Sequence, residues 1–124
     1  MSPWRPLRDI ALALTSASVL ASTYEAPPAK TPVARGAVLF SKHCALCHGS
    51  GGAGDGRAAS VQNVPPANLT VSWRSRRYKI QIVSEGGGAV GRSSSMPAWR
   101  DVLTDAQIAD VVEYVQTLNP ENRR

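Results

Sequence analysis

The chain has 124 residues and carries 14 Lys+Arg against 9 Asp+Glu, a formal charge of +5. That length allows one domain with a modest core and excludes a typical two-domain enzyme. Hydrophobic residues make up 43 % and charged ones 19 %, which excludes a disordered chain, yet aromatics are only 6 %, thin for a core built from side chains alone.

Residues 1–9 carry Arg5 and Arg8 against Asp9, and a mostly apolar stretch runs from Ile10 to Ala21. A basic start, an apolar run and small residues at its end predict a signal peptide over 1–21, and hence export to the periplasm. As a helix the run would span about 18 Å against a bilayer core of ~30 Å, so an uncleaved anchor is the weaker alternative. Cleavage after Ala21 removes Arg5, Arg8 and Asp9 and leaves a charge of +4. Residues 22–30 read as a flexible lead-in, because Pro27, Pro28 and Pro32 oppose an ordered helix there.

The folded unit is predicted over 31–119, with 120–124 as a C-terminal tail. Thr31-Pro32 suits a helix start, and Val33, Gly36, Ala37 and Phe40 recur at helical spacing up to Lys42-His43-Cys44. Five glycines within 49–56 then rule out a regular element, and loop continues through Val64-Pro65-Pro66. Ser72 is placed as the cap of a second helix over 73–85. Trp73, Arg77 and Ile80 lie on one of its faces and Tyr78 and Ile82 on a neighbouring one, and Gly86-Gly87-Gly88 ends it. Residues 89–100 read as irregular. Thr104-Asp-Ala-Gln107 fits a capping box, Ile108, Val111, Val112, Val115 and Leu118 form an apolar stripe, and Asn119-Pro120 stops the last helix. No segment alternates as a strand, so the expected class is all-α.

Cys44-Ala45-Leu46-Cys47-His48 is a C-x-x-C-H sequence, the attachment motif of c-type haem. Two thiols three positions apart in one helical turn can each join a vinyl group of the same porphyrin, and the adjoining His48 brings a ring nitrogen to the iron. A redox dithiol would need a thioredoxin-like βαβ context, which is absent, and a zinc site would need ligands beyond those crowded into 43–48. One covalent haem also accounts for the scarcity of aromatics. Besides the start residue, Met96 is the only methionine, and His43 is too close to the motif to reach the opposite face. Met96 is therefore the expected second axial ligand and His48 the first. That pair raises the reduction potential and leaves no open iron position, favouring electron transfer over catalysis.

The combination resembles the class I c-type cytochromes. The resemblance is carried by Arg35–Phe40 leading to Cys44–Gly49, by Gly54-Asp-Gly56, Pro65-Pro66-Ala67-Asn68-Leu69 and Gly86-Gly87, and by Met96-Pro97-Ala98-Trp99 and Leu103–Ile108 with Val112, Tyr114 and Leu118. It covers about 31–119 and implies the cytochrome c fold, helices and long loops wrapped around one haem. It further implies that Gly36 lets the first and last helices cross closely against Tyr114, with Phe40 packed at the crossing. A backbone carbonyl near Pro65 or Pro66 would accept the second imidazole N–H of His48, and Trp99, then Arg92 or Arg77, would meet a haem propionate. Arg57–Asn63 departs from the compact family pattern as a polar spacer with a short helical turn.

Arg74, Arg76, Arg77 and Lys79 are expected to cover the exposed face of the second helix, as a solvated surface or a docking patch for an acidic redox partner. The haem contributes about −1, so the loaded protein is expected to carry about +3, and nucleic acid is not an expected partner. The implied function is a one-electron carrier between periplasmic or membrane redox partners, with no catalytic residues. The alternatives are a haem subunit of a dehydrogenase or oxidase complex, and a haem peroxidase or gas-binding protein in which Met96 dissociates. Membrane contact is expected only through a partner or an uncleaved N-terminus.

Overall fold

A computed structural model describes residues 30–123, so the segments read as signal peptide and most of the lead-in lie outside the described residues. Four α-helices form: α1 Pro32–His43, α2 Ala45–His48, α3 Arg76–Glu85 and α4 Asp105–Leu118, joined by loops carrying short 3-10 turns. No strand occurs among the described residues.

Helix α1 starts where expected. The Thr31 side chain accepts from the Ala34 N–H, and Pro32 occupies the first helical position, where it forfeits no hydrogen bond. Helix α4 carries the full capping box: Thr104 accepts from the Gln107 N–H, and the Gln107 side chain accepts from the Thr104 N–H. These two helices share the most extensive packing among the described residues. Their approach depends on Gly36, where an added Cβ would lie 1.9 Å from the Asp110 carbonyl oxygen and 3.0 Å from Tyr114 Cβ. Phe40 meets Tyr114 with ring centroids 5.2 Å apart, tilted by 56°, a geometry aromatic quadrupoles favour. Beside this crossing, Arg35 clamps Asp110 with two hydrogen bonds of 2.6 and 2.9 Å.

The core is small: Phe40, Val83, Leu103, Ile108, Val111, Val112 and Val115 are buried, with Cys44, Met96 and Trp99 packed at its margin. The apolar stripe read from the sequence of α4 supplies most of it.

Helix α3 begins three residues later than expected. Ser75, not Ser72, is the cap, its hydroxyl accepting from the Tyr78 N–H. Ser72 is spent otherwise: its carbonyl accepts from Asn119 Nδ2 at 3.2 Å and lies 3.5 Å from Lys79 Nζ. Binding that carbonyl to the end of α4 keeps residues 72–74 out of the helix. The C-terminal segment read as a tail forms a 3-10 turn over Pro120–Arg123. The Asn119 side chain accepts from the Glu121 N–H and its carbonyl from the Asn122 N–H, which nucleates the turn. The polar spacer contains the expected short turn, a 3-10 element over Ala59–Val61.

Candidate cofactor site

Between α1–α2 on one side and α3 with its following loop on the other lies a cavity of about 740 Å³. Its wall includes Cys44, Cys47, His48 and Met96, together with Pro65 and Trp99. All six residues singled out from the sequence therefore face one space. That volume falls within the usual range for bound cofactors, ~300–1,000 Å³.

The attachment motif is held by its own loop. Helix α2 is a single turn, and its last carbonyls have no partner within the helix. The glycine-rich segment folds back to satisfy them: Ala58 N–H donates to Leu46 O at 2.9 Å, Gly56 N–H to Cys47 O at 3.0 Å, and Gly54 N–H to His48 O at 2.8 Å. The contact at Gly56 is too close for a side chain, since a Cβ there would sit 2.3 Å from Leu46 O and 2.6 Å from Cys47 O.

Both thiols are free and partly buried. Burial pushes the Cys44 thiol up to about 11, and the neighbouring Cys47 adds to the shift. His48 Nδ1 lies 3.0 Å from the Ala67 carbonyl oxygen. A carbonyl only accepts, so Nδ1 carries the proton and the lone pair is left on Nε2. Burial holds His48 below the usual histidine range, partly offset by that hydrogen bond. The result is a neutral imidazole with one oriented nitrogen lone pair, the form a metal requires.

The carbonyl that meets His48 belongs to Ala67, directly after Pro66, in the segment where the sequence placed it. The chain is pinned just beyond, where Leu69 N–H donates to Gly52 O at 2.7 Å. The Pro66 carbonyl is turned toward Gly54, 2.6 Å from where a Cβ would stand there. Pro65 contributes an exposed segment of the cavity wall.

Met96 is carried by a loop fastened to the end of α3. Gly87 N–H donates to Met96 O at 3.0 Å, Trp99 N–H to Val83 O at 3.0 Å, and Arg100 N–H to Ser84 O at 3.3 Å. These bonds bracket Met96 and fix the loop that presents it. The Trp99 ring stands edge-on to His43, with centroids 5.1 Å apart.

The basic run on α3 does not form the exposed patch expected of it. Lys79 is 5 % exposed, its ammonium bonded to Gln116 Oε1 on α4, and burial lowers its pKa. Arg76 pairs with Glu113 at 2.6 Å. Arg74 lies over the rings of Trp73 and Tyr78, at 4.7 and 5.1 Å from their centroids. Arg77 is exposed and lies off the cavity wall. The burial of Lys79 had one legible signal: it stands four residues before the buried Val83, on the same helical face.

The arrangement tests well against a c-type haem. Two thiols one turn apart, a neutral imidazole and a thioether share a largely apolar cavity that the protein's own side chains do not fill. No helix among the described residues is long and apolar enough to cross a membrane.

A family model described as "Cytochrome C oxidase, cbb3-type, subunit III" matches residues 31–115. The chain is 36 % identical over 98 residues to the Cbb3-type cytochrome c oxidase subunit FixP of Azorhizobium caulinodans, a match covering 75 % of this chain and 30 % of that protein. It is 35 % identical over 87 residues to subunit CcoP of an Azospirillum species, again spanning only 28 % of the relative. The chloroplastic cytochrome c6 of Chlamydomonas reinhardtii is 31 % identical over 109 residues, 85 % of this chain and 66 % of the relative. Among solved structures, a chain of the reducing HAO-like protein complex of Kuenenia stuttgartiensis matches with a TM-score of 0.61 at 28 % identity, over 77 % of this chain and 45 % of that one. The chain thus spans less than a third of the oxidase subunits it matches. With its all-helical fold and its C-x-x-C-H cavity, it belongs to the cytochrome c family, in the branch described by cbb3-type oxidase subunit III.

Proposed function

We propose that the protein carries one covalently attached haem c and passes single electrons between protein redox partners in the periplasm, without a catalytic role of its own. Cys44 and Cys47 would hold the haem by thioether links, and His48 and Met96 would ligate its iron. The observation that carries this reading is that these four residues, from opposite sides of the fold, line one cavity. When bound, the group supplies a one-electron iron couple of raised potential. The chain's residues do the rest. Ala67 orients the His48 ring, burial keeps it neutral, the loop tied to α3 presents Met96, and the Phe40–Val112 core excludes water from one side. Rigid fastening on both sides leaves little geometry to change between oxidation states.

Redox partners with an acidic contact surface suit the exposed cations Lys42, Arg57, Arg77 and Arg100 and the charge of about +3 of the haem-loaded mature chain. The names of the FixP and CcoP relatives favour a second reading of the same chemistry, a haem subunit within an oxidase complex. Co-purification with a larger redox complex at moderate salt selects that reading, and isolation as a lone soluble haem protein selects the free carrier.

The primary test is the intact mass and visible spectrum of protein made in a host that matures c-type cytochromes. One covalent haem and a low-spin ferric spectrum with a methionine–iron band are expected. A colourless product, or a high-spin ferric form that avidly takes added ligands, overturns the assignment. Met96→Ala is expected to lower the reduction potential markedly.

A further inference from the structure

Two charged side chains are buried among the described residues, and they are treated differently. Asp110 is clamped by the Arg35 guanidinium. Lys79, 5 % exposed on α3 and part of the cavity wall, has only neutral partners. Its ammonium donates to Gln116 Oε1 of α4 and lies 3.5 Å from the Ser72 carbonyl oxygen. The charged groups of the surrounding elements are engaged elsewhere or lie apart from it. Arg76 of α3 takes Glu113 of α4. Ahead of α3, Arg74 lies over Trp73 and Tyr78, and beyond the helix Arg92 donates to Tyr78 Oη. The C-terminal turn holds Glu121, but it sends Asn119 and Asn122 to the Ser72 carbonyl. No carboxylate is bonded to Lys79, and no Asp or Glu lines the cavity. A lysine this buried and without a counter-charge is rare, since a methionine would fill the same space with no ion to desolvate. Its charge is also felt further than a surface cation's, because little water screens it.

We infer, on the haem reading above, that Lys79 sets the reduction potential: its buried ammonium at the cavity wall favours the reduced iron, and loss of its proton lowers the potential. An added electron makes the site more negative by one charge, which a fixed cation nearby stabilises. Where the ferric protein has released that proton to solvent, one electron from the donor protein brings one proton back from solvent to the Lys79 amine, and the charge of the site is unchanged. Burial lowers the pKa of Lys79, so this exchange falls at lower pH than for a surface lysine.

Redox titration of haem-loaded wild type, K79Q, K79R, Q116E and R77Q between about pH 6 and pH 10 tests this. At pH 7 and a fixed applied potential, K79Q should lower the ferrous-to-ferric ratio severalfold, and K79R should hold it near wild type. Q116E should lower it without touching Lys79, by setting a carboxylate against the ammonium. R77Q, an exposed cation on the same helix and off the cavity wall, should match wild type. As pH rises, the wild-type potential should fall toward that of K79Q, whereas K79R should stay high because a guanidinium keeps its proton. If K79Q folds poorly, K79M carries the comparison. The methionine–iron band is followed throughout, and its persistence through the fall ties the fall to Lys79. A band lost in step with the potential, a K79Q or K79M potential equal to wild type at pH 7, or an equal alkaline fall in K79R overturns the role of Lys79 and leaves the haem reading intact. A wild-type protein without haem overturns both.

Discussion

The crossing of α1 and α4 at Gly36 makes the sharpest prediction. Gly36→Ala adds one methyl group to α1, and its Cβ would sit 1.9 Å from the Asp110 carbonyl oxygen and 2.6 Å from the Asp110 carbonyl carbon. Both are backbone atoms of a capped helix, so no side chain can rotate away. Restoring ordinary contact at 3.4 Å requires α1 and α4 to part locally by roughly 1.5 Å, which loosens dispersion contacts throughout the interface. The Phe40–Tyr114 pair, 5.2 Å between centroids, stands one turn away and opens with it. Overpacking of this kind costs about 3 kcal/mol or more, and alanine returns about 1 kcal/mol through its better helix propensity. The net loss is about 2 kcal/mol. At ~4–8 °C per kcal/mol for a domain of this size, that lowers Tm by about 8–16 °C. Thermal unfolding of the haem-loaded protein followed by far-UV circular dichroism measures it. Val38→Ala, at a position 62 % exposed on the same helix, is the control and should stay within about 0.5 kcal/mol of wild type. A Tm for Gly36→Ala within about 4 °C of wild type would refute the claim that the helix crossing is set by this contact.

Three further outcomes follow from the geometry. Thr104→Ala removes the hydroxyl that caps α4 and should cost about 1 kcal/mol in urea unfolding, with the slope unchanged; no change in midpoint would show the box to be dispensable. Gly56→Ala drives a Cβ into the carbonyls of Leu46 and Cys47, so the yield of covalent haem per folded chain should fall severalfold, and full attachment would refute the role given to the loop. Because burial lowers the His48 pKa, the unfolded chain takes up this proton at higher pH than the folded one. The stability His48 contributes is therefore present above about pH 6.5, the unfolded value, and is lost as pH falls through the lower folded value. The urea midpoint of the haem-free protein should fall between about pH 7.5 and pH 5, above the range where ordinary carboxylates protonate. A flat midpoint over that interval would remove His48 from the account.

Much of this was legible in the chain. Local signals carry local structure, so Thr31-Pro32 and Thr104–Gln107 marked two helix starts correctly, and the valine stripe of α4 named most of the core. Ser72 misled because any serine ahead of a helical pattern can cap it. Ser75 became the cap only because Asn119, 47 residues away, holds the Ser72 carbonyl. Lys79 misled in the same way. A lysine on a helix reads as surface, and only the packing of α3 on α4 supplies Gln116 as its buried partner.

The C-x-x-C-H motif, with a lone downstream methionine, determined by itself the cofactor class and the four residues to look for, because three-residue thiol spacing and an adjoining imidazole are local chemistry. What the tertiary structure decided is everything that depends on which segments meet. It brought Met96 and His48 to one cavity, selected the Ala67 carbonyl from the proline segment as the partner of the imidazole, and broke the basic run into a buried lysine, an ion pair, one arginine on the cavity wall and one exposed to solvent. Hydrogen bonds and burial between distant segments fall on whichever atoms the packed backbone places in reach, and no spacing along the chain encodes that placement.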